Sequence, residues 1–202
     1  MTKHRLELFS DGVFAIILTL LVLDLRVPPV HQLAAFGAVG APLAVHAASF
    51  FLVGALWYTH HGFLAPLTEV HEGTYKFNLL SLFWPTLIPF AAKNAAERPL
   101  EPLGPCLLAA CTGLYVLSMF AMRLTARSTF DLTPERRRYR NRMFAVFTVM
   151  IVANLIAAAV ALVTPWPAYG AAMLTAVIFM FVVHHPAELE RSYPQADLDR
   201  AA

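Results

Sequence analysis

An all-α bundle crossing a membrane six times is the fold class this sequence predicts, and three observations carry the prediction. Of 202 residues, 58% are hydrophobic and only 14% charged, too apolar a mixture for the surface of a soluble domain. A spanning helix needs roughly 20 mostly apolar residues, and six such stretches occur, at about residues 6–25, 39–60, 75–92, 104–123, 143–163 and 166–184. Lys and Arg, fifteen in all, fall unevenly between the connecting segments.

The first stretch follows Lys3, His4 and Arg5, as a secretory signal would. Asp11 inside it, and Arg26-Val27-Pro28-Pro29 where small residues should mark cleavage, favour a helix that stays in the protein. Pro28 and Pro29 end that helix, Pro99, Pro102 and Pro105 separate the third from the fourth, and Pro165 with Pro167 imposes a tight turn before the sixth. Trp84-Pro85 with Pro89 interrupts the third. Asp131 or Thr133 is placed to cap a helix starting near Pro134. Residues 1–190 make one membrane domain, followed by a polar tail over 191–202.

Basic residues stay on the cytoplasmic side of a membrane, so their distribution sets orientation. With both termini inside, the inner segments hold Lys3, Arg5, Lys76, Arg123, Arg127, Arg136, Arg137, Arg138, Arg140, Arg142, Arg191 and Arg200, against Arg26, Lys93 and Arg98 outside. The expected location is therefore the plasma membrane, multi-pass, with cytoplasmic termini. The run from Arg136 to Arg142 reads as an orientation signal at a helix base, not as a nucleic-acid site.

Polar groups inside a membrane segment are costly, and their positions point to work done there. On the first helix, taking Ile16 as zero, Gly12 falls near about −40°, Thr19 about −60°, Leu20 about 40° and Leu23 about −20°, at 3.6 residues per turn. These share one face. Ser10, at about 120°, and Asp11, at about −140°, point away from it. Ser10 and Asp11 are thus placed to fasten the helix to its neighbours, leaving Ile16, Leu20 and Leu23 for lipid, another helix or a lumen.

The string Arg5-x-x-x-Phe9-Ser10-Asp11-Gly12-Val13-Phe14-Ala15-Ile16-x-x-Thr19-Leu20-Leu21-x-Leu23 resembles the first-helix signature of the transmembrane protein 175 family, the lysosomal potassium channel and its bacterial relatives. Trp57 with His60 and His61 ending helix two, Asn78 opening helix three and Pro89-Phe90 near its end resemble the family pattern in the same order. The resemblance implies one six-helix unit per chain, a homotetramer and a pore lined by the first helix. It implies Ile16 as the tightest ring, Leu20 and Leu23 as further apolar rings, and Thr19 as a hydroxyl layer. Arg5, Ser10, Asp11, Trp57, His60, His61 and Asn78 would form the network anchoring helix one. Ala91-Ala92-Lys93-Asn94 stands where small hydroxyl residues are expected, a departure at the outer mouth. Asp24 is the candidate for a carboxylate ring there.

The function this implies is a potassium-selective cation channel with a hydrophobic constriction, having potassium ions and membrane lipids as partners and needing no cofactor. The alternatives are a proton-permeable channel and a secondary cation transporter. An enzyme is not expected: Ser10 or Asp11 near His60 imitates a hydrolase, but no glycine-rich nucleophile motif accompanies them. His60-His61 and His184-His185-x-x-Glu188 each lack a full ligand set, so no metal is assigned. Cys106 and Cys111, five apart on one helix, point to different sides and cannot bridge. His46 and Asn154 are expected to bond neighbouring helices.

Overall fold

The computed structural model describes residues 2–23, 34–64, 67, 70–125 and 134–182, of which the side chains of 34–38, 134–137, 139 and 140 are excepted. Asp24, Asp131, Thr133, His184, His185, Glu188 and the 191–202 tail lie outside them, as do residues 24–25 and 183–184 of the first and sixth expected spans. The described residues form only helices: α1 (Lys3–Leu23), α2 (Ala34–Leu64), α3 (Glu72–Phe83), a 3-10 turn (Pro85–Leu87), α4 (Ile88–Glu97), α5 (Leu103–Thr125), α6 (Pro134–Val160) and α7 (Trp166–Phe181). Taking α3, the turn and α4 as one broken span gives six, the all-α bundle expected.

The third span breaks where two prolines stand four apart. Pro85 has no N–H for the carbonyl of Ser81, and Pro89 has none for that of Pro85. The chain tightens instead: Leu87 N donates to the Trp84 carbonyl at 3.1 Å, and the Ile88 amide takes the carbonyl of Pro85. Trp84 Nε1 donates to Ser118 Oγ on α5 at 3.1 Å, so the break is held from behind. Four other helices, α1, Val39–Leu64 of α2, α5 and Asn141–Val160 of α6, are each long and apolar enough to cross a membrane alone, while α7 is apolar but shorter.

Helix α5 is the hub, packing on α3, α4, α6 and α7. Its apolar stretch is 61% buried against 28% for α1 and the same for α2, so both of those helices keep most of their surface uncovered. The core around it holds Phe14, Leu52, Leu56, Tyr115, Met119, Phe147 and Phe179, all buried. Tyr115 resolves its buried hydroxyl by donating to the Leu56 carbonyl on α2 at 2.7 Å. In the last turn of α5, the Arg123 guanidinium lies 4.9 Å from the ring centroids of both Phe63 on α2 and Phe147 on α6. A cation there complements the helix dipole and gains from both rings. Asn154 Nδ2 donates to Thr175 Oγ1 at 2.7 Å, joining α6 to α7. Cys106 and Cys111 are both free thiols.

Two close approaches explain two glycines. A Cβ on Gly104 would fall 2.5 Å from the backbone nitrogen of Ala95, because α5 starts directly against α4. At Gly113 it would meet Asn154 Cβ at 3.1 Å, so α5 and α6 also pack with little between them. Backbone cannot yield as a side-chain tip can. Gly104→Ala is therefore expected to lower stability by roughly 1–3 kcal/mol, the usual range for overpacking, and Gly113→Ala by less. Thermal unfolding of the detergent-solubilised protein measures both, and equal midpoints for Gly104→Ala and the parent would contradict the packing described.

Candidate functional site: the two faces of helix α1

The buried residues of α1 are Leu6, Ser10, Phe14, Ile17 and Leu21, spaced by three and four as one helical face requires. Against this face come α2, α3, α4 and the 3-10 turn. Its polar contacts form a directed chain from α2 through α3 to α1. His60 Nε2 lies 2.9 Å from Asn78 Oδ1, and an amide oxygen only accepts, so His60 carries its proton on Nε2. Asn78 Nδ2 donates to Ser10 Oγ at 3.2 Å. Ser10 Oγ has two acceptors in reach, the Leu6 carbonyl at 2.9 Å and Asn78 Oδ1 at 3.4 Å; with one proton, the shorter bond takes it. Each donor thus has an acceptor. His60 Nδ1 is buried with no hydrogen-bond partner among the described residues, its ring held by Phe14 at 5.5 Å and Tyr115 at 6.3 Å between centroids.

A second tie lies beside the first. Trp57 Nε1 donates to Asp11 Oδ1 at 2.8 Å, and the Trp57 ring stands 5.9 Å from that of His61. The structure therefore brings Ser10, Asp11, Trp57, His60, His61 and Asn78 together behind α1. Arg5 is exposed and makes no contact with this cluster among the described residues. Two participants escaped the reading of the sequence, Phe14 and Tyr115. Their aromatic character is common to any apolar helix, and only the packing reveals that they cradle His60.

The opposite face is bare. Ile16 is 60% exposed, Leu20 41% and Leu23 74%, with Gly12 and Thr19 also open. Thr19 Oγ1 donates to the Ile16 carbonyl at 2.8 Å, which leaves the hydroxyl oxygen able to accept and turns its lone pairs outward from the helix backbone. Lys93 and Asn94, at the departure noted above, stand on α4, where Asn94 Nδ2 donates to the Phe90 carbonyl at 2.9 Å. Asp24 lies outside the described residues. No group of three or more His, Cys, Asp or Glu able to hold a metal occurs among those described.

The comparisons accord with this architecture. Residues 5–89 match the family model described as the endosomal/lysosomal potassium channel TMEM175. A potassium channel of Chryseobacterium sp. (strain P1-3) is 28% identical over 185 residues, covering 89% of this chain and 93% of that protein. A potassium channel of Streptomyces collinus is 36% identical over 124 residues, 59% of each. The endosomal/lysosomal proton channel TMEM175 of Rattus norvegicus is 35% identical over 114 residues, half of this chain but 23% of its own length. Among solved structures, the crystal structure of a lysosomal potassium-selective channel TMEM175 homolog from Chamaesiphon minutus superposes with a TM-score of 0.68 at 24% identity, covering 91% of this chain and 98% of the other.

Proposed function

We propose, from the match of residues 5–89 to the family model, that the chain is a member of the transmembrane protein 175 family and a potassium-selective cation channel of the plasma membrane. Four copies place α1 around a central axis, with both termini cytoplasmic. The observation that carries this reading is the asymmetry of α1. One face is fastened by buried hydrogen bonds, and the other presents Ile16, Leu20 and Leu23 to nothing in its own chain. Isolated lipid-facing helices have no need of such fastening, whereas a pore lining must hold its register to a fraction of an ångström.

The proposed mechanism follows from what the lining lacks. The sequence contains no Thr-Val-Gly-Tyr-Gly loop, so no ring of backbone carbonyls replaces an ion's water. A ring of four Ile16 side chains closes by dewetting, and when wider it passes an ion only after part of the hydration shell is shed. Potassium gives up water more readily than sodium and crosses at lower cost. Thr19, one turn further along, offers hydroxyl oxygens to the partly stripped ion. Ser10, Asp11, Trp57, His60, His61 and Asn78 are proposed as the anchoring network, without Arg5, which stands apart from them, and Asp24 as a carboxylate ring gathering cations at the outer mouth.

Reversal potentials of the purified protein in liposomes, under opposed potassium, sodium and proton gradients, test the reading. A reversal near the potassium equilibrium potential is expected. The name of the rat relative favours a second reading, proton permeation, which predicts reversal that follows the proton gradient instead. The break in the third span favours a third, coupled transport, because discontinuous helices build transporter sites. Saturable uptake coupled to a second ion, in place of current that scales with driving force, would identify it.

A further inference from the structure

The Ser10 and Asp11 ties hold the Lys3 half of α1, and they leave open what holds the half carrying Leu20 and Leu23. On that half of α1 the backbone carbonyl of Leu21 is reached from a neighbouring helix. That carbonyl belongs to the buried face: the Leu21 side chain is packed inward, opposite Leu23. His46 of α2 lies against it, with Nδ1 3.2 Å from the Leu21 oxygen. A carbonyl oxygen accepts only, so Nδ1 is the donor and carries the proton. His46 also borders a small cavity of about 30 Å³, together with Leu21, Pro42, Pro89 and Lys93, where α1, α2 and α4 converge. No other side chain is seen to reach the backbone of residues 20–23 among the described residues.

We infer that His46 is a positioning residue for the proposed pore: by donating its Nδ1 proton to the Leu21 carbonyl, it fixes residues 20–23 of α1 and with them the ring positions of Leu20 and Leu23. The inference rests on α1 lining the pore. A hydrogen bond from α2 to a backbone atom of α1 fixes the rotation and height of that stretch against its neighbour, where apolar packing alone leaves it freer to slide. Leu23 stands about 160° around the helix from Leu21 and Leu20 about 100°, so a bond to the Leu21 carbonyl sets how far both project toward the axis. Thr19 is in the same turn and shares the consequence.

Three variants separate the hydrogen bond from the packing. Asn places its amide nitrogen where His has Nδ1, two bonds from Cβ; Gln places it one bond further, where Nε2 lies; Phe keeps the ring and removes both nitrogens. His46→Asn is expected to keep the potassium-to-sodium permeability ratio of the parent in liposomes. His46→Phe and His46→Gln should each lower that ratio by about threefold, the equivalent of one average interhelical hydrogen bond in lipid. A ratio unchanged in His46→Phe, or lowered as much in His46→Asn as in His46→Phe, would overturn the inference. Nitrogen-15 spectra of histidine-labelled parent protein, with His46→Asn to assign the signal, supply a reading independent of conduction. The Nδ1–H tautomer is expected, and an Nε2–H tautomer would refute the bond itself. Parent protein that shows the Nδ1–H tautomer but passes no potassium current would instead sink the pore reading, and the role in positioning with it.

Discussion

Ile16→Asn yields a channel that leaks and discriminates poorly. The side chain is exposed on the bare face of α1, so the exchange removes no contact inside the chain and should leave its fold intact. Four amides in place of four aliphatic groups keep the constriction wet, which abolishes closure by dewetting. They also offer an ion replacement oxygens, so sodium recovers part of the hydration it sheds. A barrier difference reduced by roughly 1.4 kcal/mol lowers the potassium-to-sodium ratio about tenfold, with background current rising at the same time. Bi-ionic reversal potentials from the reconstituted variant measure the ratio. Unaltered selectivity and an unaltered closed-state leak would mean that Ile16 is not the constriction. Ile16→Val serves as the partner experiment, because a smaller aliphatic ring stays dry and should raise conductance while keeping most of the preference.

How much of this was legible before any coordinates follows from what each feature depends on. The six spans are a matter of local hydropathy over windows of about 20 residues, and both the broken third span and the turn before α7 are announced by proline spacing. The two faces of α1 also follow from the chain alone, since Ser10 and Asp11 lie far around the helix from Ile16. Which groups meet across helices does not. Ser10 and Asn78 are separated by 68 positions, and the bond between them depends on how α1, α2 and α3 cross. Arg123 gives the same lesson. Its sequence position reads as one more inner-side cation, yet its setting between Phe63 and Phe147 ties α5 to α2 and α6. His46 and Asn154 were expected to bond neighbouring helices, but that one partner is the Leu21 carbonyl and the other Thr175 required the packing. Arg5 joins the motif in sequence but not the cluster in space: its side chain is exposed, more than a turn before Ser10, the residue of α1 that Asn78 reaches.

Asn78→Leu is the second large effect, and it distinguishes a fastening network from incidental polarity. Leu keeps the four side-chain heavy atoms and the branching of Asn, although its methyl groups are bulkier, so the change is chemical with an added packing cost at this buried position. It leaves His60 Nε2–H without an acceptor and Ser10 Oγ without its donor, in a setting where both groups are buried. Single interhelical hydrogen bonds in membrane proteins average about 0.6 kcal/mol, but a buried donor stranded by loss of its partner costs about 1–3 kcal/mol. The stranded donor therefore dominates, and a loss of roughly 2 kcal/mol in stability is expected. Ser10→Ala should cost less, since the Leu6 carbonyl is still bonded within its own helix and only the Asn78 amide loses an acceptor. The decisive step is compensation. Replacing both partners with apolar groups of matching shape removes the stranded donor, and the His60 ring already sits between Phe14 and Tyr115, an aromatic cage that suits Phe. His60→Phe with Asn78→Leu should thus recover much of the melting temperature lost in Asn78→Leu alone. It should not recover gating, because the directed chain that sets the rotation of α1 is gone and Ile16 is free to turn off the axis. Thermal melts and bi-ionic currents on the same three proteins separate these outcomes: stability restored with selectivity still impaired supports positioning by the network, whereas selectivity restored together with stability would show that packing alone holds the pore helix in register.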